Sequence, residues 1–221
     1  MSVFSGKSLV PHLIRDGYSI NHAALPNELC AGLIHHLNQM QNEQFAQAGI
    51  GRGDDHLTRK DIRKDKICWI IGESAAGREW LEWAGQLQQE VNRNLFMGLF
   101  SFESHFAHYQ PGDFYLKHYD AFRGQQNRVL TVVAYFNQDW QAEEGGELVM
   151  YLNDDDTQGI SVLPEMGTVV VFLSEEFPHE VKPASRDRYS IAGWYRVNNP
   201  NALVVKYSFP PRRGMGMRSL N

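Results

Sequence analysis

The chain has 221 residues, of which 43% are hydrophobic and 21% charged, a composition typical of a globular protein with one large core. Its formal net charge of -5 at pH 7 argues against a surface built to hold phosphates, so no nucleic-acid partner is expected. Cys30 and Cys68 lack the spacing of a zinc motif and suit a reducing compartment. No stretch approaches the roughly 20 apolar residues of a membrane span. Residues 1–17 also lack a secretory signal pattern, and we predict a cytoplasmic protein without membrane association.

The first part of the chain shows helical periodicity. Ser8–Asp16 is predicted to form a short helix that Gly17 ends, and a second helix is predicted to begin near Pro26. Gly77–Leu95 carries apolar residues at helical spacing and forms the longest predicted helix. Between them, Ala48–His56 is rich in glycine and aspartate and is predicted to be a flexible loop. We expect the helices to pack against a sheet formed later in the chain.

After Leu95 the pattern becomes strand-like. Turn-forming residues separate eight candidate strands, which are Phe100–Tyr109, Phe114–His118, Arg128–Phe136, Glu147–Leu152, Gly159–Leu163, Thr168–Leu173, His179–Lys182 and Tyr189–Val197. Short strands at this spacing predict a jelly roll or barrel. We therefore expect a mostly β fold with flanking helices (α+β). One domain is predicted over residues 1–197, with helices over about 8–95 and the β core over about 96–197, followed by a tail or flap at 198–221.

A metal site is indicated by histidine and aspartate spacing. His118 and Asp120 are two residues apart, so in extended backbone their side chains leave on the same side. This pair is not specific by itself. The third ligand is predicted to be His179, because a jelly roll can bring a late strand beside an early one. Two histidines and one carboxylate are the usual protein ligands of non-haem iron(II) in oxygenases.

Arg188 follows nine residues after His179. Because Pro183–Asp187 has the composition of a turn, we predict that the two flanking strands pair as a hairpin and direct both side chains into one cavity. A guanidinium there would match a carboxylate, with each charge-assisted hydrogen bond contributing about 1.5 to 3 kcal/mol. A metal and a buried arginine together predict a cosubstrate with a chelating end and a carboxylate end, a description that fits 2-oxoglutarate.

These four residues and several longer motifs resemble the iron(II)- and 2-oxoglutarate-dependent oxygenases. The closer resemblance is to the prolyl hydroxylase domain proteins that act as oxygen sensors in animals, and to their bacterial relatives. It spans most of residues 57–197. The motifs that carry it are Lys60–Ile70, Tyr109–Asp120, Tyr135–Trp140, Gly145–Leu148, Pro178–Val181 and Arg188–Tyr195.

The resemblance implies a fold, a metal and a reaction. The fold is a double-stranded β-helix of the jelly-roll, cupin-like type with N-terminal packing helices. Iron(II) would be held by His118, Asp120 and His179. The family's chemistry uses O₂ to convert 2-oxoglutarate into succinate while a proline ring is hydroxylated, and ascorbate is a candidate additional cofactor.

The same resemblance implies roles for the pocket residues. Arg188 and the Tyr135 hydroxyl would bind the distal carboxylate of 2-oxoglutarate, and Tyr109 matches a tyrosine near its metal-chelating end. Thr131 and Trp194 match pocket-lining positions. All five are therefore predicted to bind the cosubstrate or line its pocket, and Arg188 is also counted with the three metal ligands as essential for catalysis.

Substrate contacts are predicted at the cavity entrance. By the resemblance, Arg63 and Asp65 would close over the substrate together with the Gly49–Leu57 loop, and Tyr115 would also contact it. The substrate would be a protein that presents a proline, and the bacterial branch of the family suggests translation elongation factor Tu. Tyr119 departs from the animal enzymes, which have a small aliphatic residue between the two ligands.

The sequence leaves other functions open. The chain could oxidise a free amino acid or another small molecule with the same chemistry, or it could be a non-catalytic metal-binding barrel that serves as a sensor or scaffold. Arg188 disfavours the second alternative, because a simple metal site needs no carboxylate receptor. The oligomeric state is not determined by the sequence, and a monomer is favoured.

Overall fold

The computed structural model of the chain describes residues 9–40, 44–48, 61–121 and 127–198. Its helices are α1 (Val10–Asp16), α2 (Asn27–Gln39) and α3 (Ala75–Leu95), and a 3₁₀ turn spans Ala142–Glu144. Its strands are β1 (Tyr18–Asn21), β2 (Ala46–Gln47), β3 (Lys66–Trp69), β4 (Leu99–Tyr109), β5 (Tyr115–His118), β6 (Arg128–Tyr135), β7 (Leu148–Met150), β8 (Ile160–Val162), β9 (Val169–Leu173), β10 (His179–Val181) and β11 (Arg188–Val197). Apart from Ala48, the predicted Ala48–His56 loop lies outside the described residues, as do residues 199–221 of the predicted tail.

The helix ends follow from capping. Gly17 ends α1 in a left-handed conformation with φ of 77°, which glycine adopts without steric cost. Helix α3 begins two residues before its predicted start, because Ser74 caps it and its hydroxyl accepts a hydrogen bond from the Gly77 amide at 3.0 Å. Among the described helices, none is both long enough and apolar enough to span a membrane.

A large antiparallel sheet of seven strands forms one wall of the molecule, in the order β1-β9-β6-β11-β4-β3-β2. The eight predicted strands all exist, with ends that shift by up to two residues. Strands β1, β2 and β3 were not among those eight. They are two to four residues long, too short for a clear alternation of apolar and polar residues, and they form by pairing with strands distant in sequence.

A small antiparallel sheet faces the large one, with the order β5-β10-β7-β8. The predicted hairpin between the strands of His179 and Arg188 is wrong. Strand β10 pairs with β5 and β7, whereas β11 pairs with β4 and β6 of the large sheet. Between Val181 and Arg188 the chain crosses from one sheet to the other, as connections in a jelly roll do. The two side chains therefore reach one cavity from opposite sheets.

Residue alternation divides the core into two layers. In β6, Val132 and Ala134 belong to the layer between the large sheet and the helices, with Trp80 of α3. Val133 and Tyr135, one residue along in each case, belong to the layer between the two sheets. The predicted jelly-roll architecture with N-terminal packing helices is confirmed, and the space between the sheets holds the site. The single-domain assignment to residues 1–197 stays a prediction.

Candidate functional site

The small sheet brings the three predicted metal ligands together. His118 ends β5 and His179 begins β10, and the two residues are direct cross-strand partners. Asp120 follows in the loop after β5. Its Oδ1 lies 3.8 Å from His118 Nε2 and its Oδ2 lies 3.6 Å from His179 Nε2. One ligand atom from each residue lies within 4.8 Å of the other two, which is close enough for all three to bind a single ion.

Backbone carbonyls fix the orientation of both imidazoles. His118 Nδ1 lies 2.7 Å from the Leu116 carbonyl, and His179 Nδ1 lies 3.1 Å from the Phe177 carbonyl. Because a carbonyl oxygen only accepts, each Nδ1 must carry the hydrogen, which leaves the Nε2 lone pair for a metal. Burial, followed by the neighbouring His179, lowers the pKa of His118 to about 3, although Asp120 opposes the shift. The His118 imidazole is therefore neutral and ready to bind a cation.

Asp120 is kept ionised by its surroundings. Burial favours the protonated acid, but His179, His118 and the Thr131 hydroxyl reverse that effect and lower the pKa of the carboxyl. The Thr131 hydroxyl donates to Asp120 Oδ2 at 2.8 Å. Thr131 was predicted as a pocket-lining residue, and in the structure its hydroxyl forms a hydrogen bond with Asp120, a candidate metal ligand.

A stack of side chains supports His118 on one face of its ring. The Tyr115 ring stacks on the His118 ring with 3.5 Å between centroids and 14° between planes. The Arg63 guanidinium lies over the Tyr115 ring at 4.3 Å. Arg63 is held in turn by Asp65, with Nε to Oδ1 at 2.7 Å and Nη2 to Oδ2 at 2.6 Å, and Asp65 is fully buried. The three predicted substrate contacts thus form one connected group beside the metal-ligand candidates, and their role toward substrate stays a prediction.

The segment that contains Arg63 joins the two sheets. The Lys64 amide donates to Phe114 O, and the Leu116 amide donates to Ile62 O, so this part pairs along β5 of the small sheet. A few residues later, β3 pairs with β4 of the large sheet. The segment therefore closes one side of the space between the sheets, next to Tyr115.

Arg188 occupies the opposite end of the cavity and is 1% exposed. Its Nε donates to the Gly146 carbonyl at 2.7 Å, its Nη1 to Ser190 Oγ at 3.2 Å and its Nη2 to the Tyr135 hydroxyl at 3.4 Å. The guanidinium also lies 4.9 Å from the Tyr109 ring centroid. Within the described ranges no carboxylate pairs with it. A buried cation without a counter-ion costs several kcal/mol, so this arrangement calls for an anionic ligand.

Gly146 allows the arginine to sit where it does. Its φ of 74° is in the left-handed region. A Cβ atom there would lie 3.0 Å from Trp140 and from Ala184, and 3.2 Å from Cδ of Arg188. The close approach of this backbone lets the Gly146 carbonyl bind the guanidinium directly. The Gly145–Leu148 motif thus contributes through its backbone to the predicted carboxylate receptor.

Tyr109 and Tyr135 flank the Arg188 guanidinium, which lies 4.9 Å from the Tyr109 ring centroid and 5.0 Å from the Tyr135 ring centroid. The roles of both tyrosines toward 2-oxoglutarate stay predictions. Burial raises the pKa of the Tyr135 phenol, and Arg188 opposes the rise. Burial also raises the pKa of the Tyr109 phenol well above its usual value. Both phenols are therefore protonated at neutral pH and can donate hydrogen bonds to an anion.

Trp194 and His105 complete the pocket wall on the large sheet. The Arg128 guanidinium lies 4.0 Å from the Trp194 ring centroid, and the His105 ring lies 5.4 Å from it. Burial, followed by the charge of Arg63, lowers the pKa of His105 to about 4. His105 was not among the predicted site residues. Its position two and four residues before Ala107 and Tyr109 was the signal that it shares their face of β4.

Tyr119 does not point its hydroxyl toward the ligands. The Tyr119 hydroxyl donates to Asp154 Oδ1 at 2.8 Å, in the turn between β7 and β8. The bulky residue thus ties the backbone between His118 and Asp120 to a neighbouring loop of the small sheet. Tyr119 thus has a hydrogen-bonding partner outside the three metal-ligand candidates.

The residues present fit iron(II) and 2-oxoglutarate. Two imidazoles with free Nε2 atoms and one ionised carboxylate match the ligand set of non-haem iron(II), which leaves metal positions for a chelating cosubstrate and O₂. The uncompensated Arg188 guanidinium matches the remaining carboxylate of such a cosubstrate. The triad thus fits the metal, and Arg188 fits the free carboxylate of the cosubstrate.

Several known proteins are similar to this chain in sequence and fold. Residues 104–196 match the family model of the 2OG-Fe(II) oxygenase superfamily. The crystal structure of a Pseudomonas putida prolyl-4-hydroxylase is 38% identical, with a TM-score of 0.76, and the match covers 86% of this chain and 98% of that one. A Trichoplax adhaerens prolyl hydroxylase in complex with a hypoxia inducible factor oxygen degradation domain peptide fragment is 28% identical, with a TM-score of 0.76 over 89% of this chain and 90% of that one.

Egl nine homolog 1 of Homo sapiens is 31% identical over 157 residues, which cover 67% of this chain and 36% of the human protein. The match therefore spans little more than a third of that relative's length. The Pseudomonas putida match, in contrast, covers nearly the whole of the solved enzyme. The chain belongs to the prolyl hydroxylase family of iron(II)- and 2-oxoglutarate-dependent dioxygenases.

Proposed function

We propose that the chain is an iron(II)- and 2-oxoglutarate-dependent prolyl hydroxylase that acts on a proline of a protein substrate. One observation carries the proposal. A cluster of His118, Asp120 and His179 lies in the same cavity as Arg188, which is buried without a carboxylate partner in the described part of the chain. A metal site alone would not need this arginine, and an arginine site alone would not need the triad.

The residues divide the work between binding and orientation. His118, Asp120 and His179 would hold iron(II), and Arg188 with Tyr135 would hold the distal carboxylate of 2-oxoglutarate. Bound iron supplies O₂ activation, in which one oxygen atom enters succinate as CO₂ is lost and the other forms a hydroxyl from a proline C–H bond. The protein contributes the geometry, and the inter-sheet core around Tyr109 and Tyr135 excludes water from the cosubstrate end.

A protein substrate is supported by the relatives. The Trichoplax enzyme was solved with a peptide fragment of a protein, and its structure overlaps 89% of this chain. Arg63 lies over the Tyr115 ring, which stacks on His118, so we expect a substrate segment that reaches the metal to contact this pair. We propose translation elongation factor Tu as the candidate to test first, on the strength of the bacterial branch of the family. The cytoplasmic location, the monomeric state and the use of ascorbate stay predictions.

Mass spectrometry tests the proposal. The protein is incubated with iron(II), 2-oxoglutarate and O₂ in the presence of elongation factor Tu and, separately, a whole proteome. The expected result is one added oxygen on a specific proline, absent when 2-oxoglutarate is omitted and absent with His179→Ala. Succinate formed with a small molecule but with no protein would favour the small-molecule function. A failure to form succinate with any substrate would leave the non-catalytic barrel.

A further inference from the structure

Two buried hydroxyl groups lead from the interior of the large sheet to the Asp120 carboxylate. Ser174 Oγ lies 2.9 Å from Thr131 Oγ1, and Thr131 Oγ1 lies 2.8 Å from Asp120 Oδ2. Ser174 is fully buried and Thr131 is 1% exposed. We call Ser174, Thr131 and Asp120 the hydroxyl relay. Ser174 was not noted in the sequence, because neither spacing nor motif distinguishes it from other serines.

The direction of the relay follows from donor chemistry. An ionised carboxylate only accepts, so the single hydroxyl hydrogen of Thr131 must be donated to Asp120. Thr131 can then only accept from Ser174, whose hydroxyl must be the donor. Both hydrogen bonds therefore point toward the carboxylate, and hydrogen bonds in such a chain polarise and strengthen one another.

The two ends of the relay differ in how firmly the backbone holds them. Thr131 lies in β6 between Phe172 of β9 and Trp194 of β11, so strand pairing fixes it on both sides. Ser174 follows β9, and its amide donates to the Val129 carbonyl. Asp120 lies in a loop beyond the end of β5. Asp120 therefore has the least backbone support of the three residues, and its orientation depends most on side-chain hydrogen bonds.

We propose that the hydroxyl relay sets the orientation of Asp120 for metal binding, and that Thr131 and Ser174 are positioning residues of the metal site. This inference rests on the proposed function, because it assumes that Asp120 is a ligand. The hydrogen bond to Oδ2 opposes rotation of the carboxylate about its Cβ–Cγ bond. Supporting partners of this kind typically change metal affinity by about 10- to 100-fold.

Manganese(II) binding to the full chain, followed by the electron paramagnetic resonance signal of the free ion, tests the relay without turnover. Thr131→Val keeps the side-chain shape and removes the hydroxyl. We expect its dissociation constant to rise about 10-fold or more. Thr131→Ser restores a hydroxyl and should return the constant to within about threefold of the original protein, since a retained hydrogen bond leaves less than 1 kcal/mol to lose.

Thr168→Val is the matched control. Thr168 is as buried as Thr131, but its hydroxyl lies 3.4 Å from His22 Nδ1, and His22 is not one of the three metal-ligand candidates. Its manganese affinity should equal that of the original protein. Equal affinity in Thr131→Val as well would overturn the relay, even if that variant loses thermal stability, because stability alone indicates only a packing role.

Ser174→Ala provides a second variant, which decides the matter if Thr131→Val does not fold. It removes the distant donor and leaves Thr131 in place, so a smaller weakening of about two- to fivefold is expected. An unchanged dissociation constant in Ser174→Ala would show that Ser174 does not help to position Asp120. If the original protein binds no manganese, the proposed function fails together with the relay. If the original protein and the Thr131 and Ser174 variants all bind manganese equally, and only His179→Ala does not bind it, the relay alone is contradicted.

Discussion

The two sheets contribute to the site in different ways. The small sheet, with strands of three or four residues, carries His118 and His179, and Asp120 follows one of its strands. The large sheet, with strands of eight to eleven residues at its centre, carries Arg188 and Tyr135. The metal end of the cavity is therefore built on the sheet with the fewest hydrogen bonds, and the cosubstrate end on the sheet with the most.

This difference shows how a short-stranded sheet can hold a metal site. Two contacts from outside the small sheet support its ligands, namely the Thr131 hydroxyl on Asp120 and the pairing of residues 62–64 along β5. The second contact also places Arg63 over Tyr115, the β5 residue that stacks on His118. Arg188, in contrast, is held by Ser190 and Tyr135 of its own sheet and by the Gly146 carbonyl, which precedes β7 of the small sheet. Changes at the metal end should affect metal binding, and changes at the arginine end should affect only the cosubstrate.

The largest effect is expected from His179→Ala, which removes a ligand from the small sheet. The dissociation constant for manganese(II) should rise more than about 100-fold, beyond the range typical of supporting residues, and turnover should be lost. His35→Ala, on the exposed side of α2, is the control and should bind metal normally. Retained metal binding in His179→Ala would remove this residue from the ligand set.

The next effect is expected from Arg188→Ala at the cosubstrate end. Loss of two charge-assisted hydrogen bonds should weaken 2-oxoglutarate binding to the manganese-loaded protein roughly 100-fold, while manganese affinity stays the same. Calorimetric titration measures both constants. Arg186→Ala, two residues earlier and paired with Glu144 outside the cavity, is the control. Unchanged 2-oxoglutarate affinity in Arg188→Ala would contradict the assignment.

A smaller effect is expected from His105→Gln in the large sheet, on how the free energy of unfolding changes with pH. Burial, then Arg63, lowers the pKa of His105 to about 4, whereas in the unfolded chain it is about 6.5. The unfolded state therefore binds the proton more readily, and stability present above pH 6.5 is lost as the pH falls toward 4. From pH 7.5 to pH 5 the wild-type protein should lose about 2 kcal/mol more than His105→Gln.

Urea unfolding of both proteins at the two pH values measures this difference. All other titratable groups are the same in both proteins and cancel in the comparison, provided that the two unfold in one cooperative step. An equal loss of stability in both proteins would mean that His105 is not held neutral by the fold.

The smallest effect is expected from Tyr119→Phe in the small sheet. It removes the hydrogen bond to Asp154, a change of about 0.5 to 1 kcal/mol in the free energy of unfolding. The affinity for 2-oxoglutarate should not change, because the hydroxyl points away from Arg188. A large loss of cosubstrate affinity would show that Tyr119 shapes the pocket directly and would break the separation between the two ends.

Much of the site could be predicted from residue types and order. The His118, Asp120 and His179 set and the arginine nine residues later were identified from spacing and from the longer motifs around them. The eight main strands were found because their apolar residues alternate or run continuously between turns. Strands β1, β2 and β3 were missed, since pairing with distant strands, and not local sequence, stabilises them.

Other features depended on the arrangement of the sheets. The connection between Val181 and Arg188 has the composition of a turn, yet it joins two sheets and not two paired strands. Turn residues allow the chain to reverse but do not choose the partner strand. For the same reason the sequence placed Thr131 near the cavity but did not indicate that its hydroxyl binds Asp120.

The sequence by itself determined the chemistry of the protein, because ligand identity and a carboxylate receptor are properties of residue types. Tertiary structure decided which side chains face each other across the cavity. Ser174 and Asp120 are 54 positions apart in the chain, and only the pairing of β6 with β9 puts the serine within reach of the carboxylate through Thr131. Such contacts depend on how strands are ordered in a sheet, and long-range packing, not local sequence, sets that order.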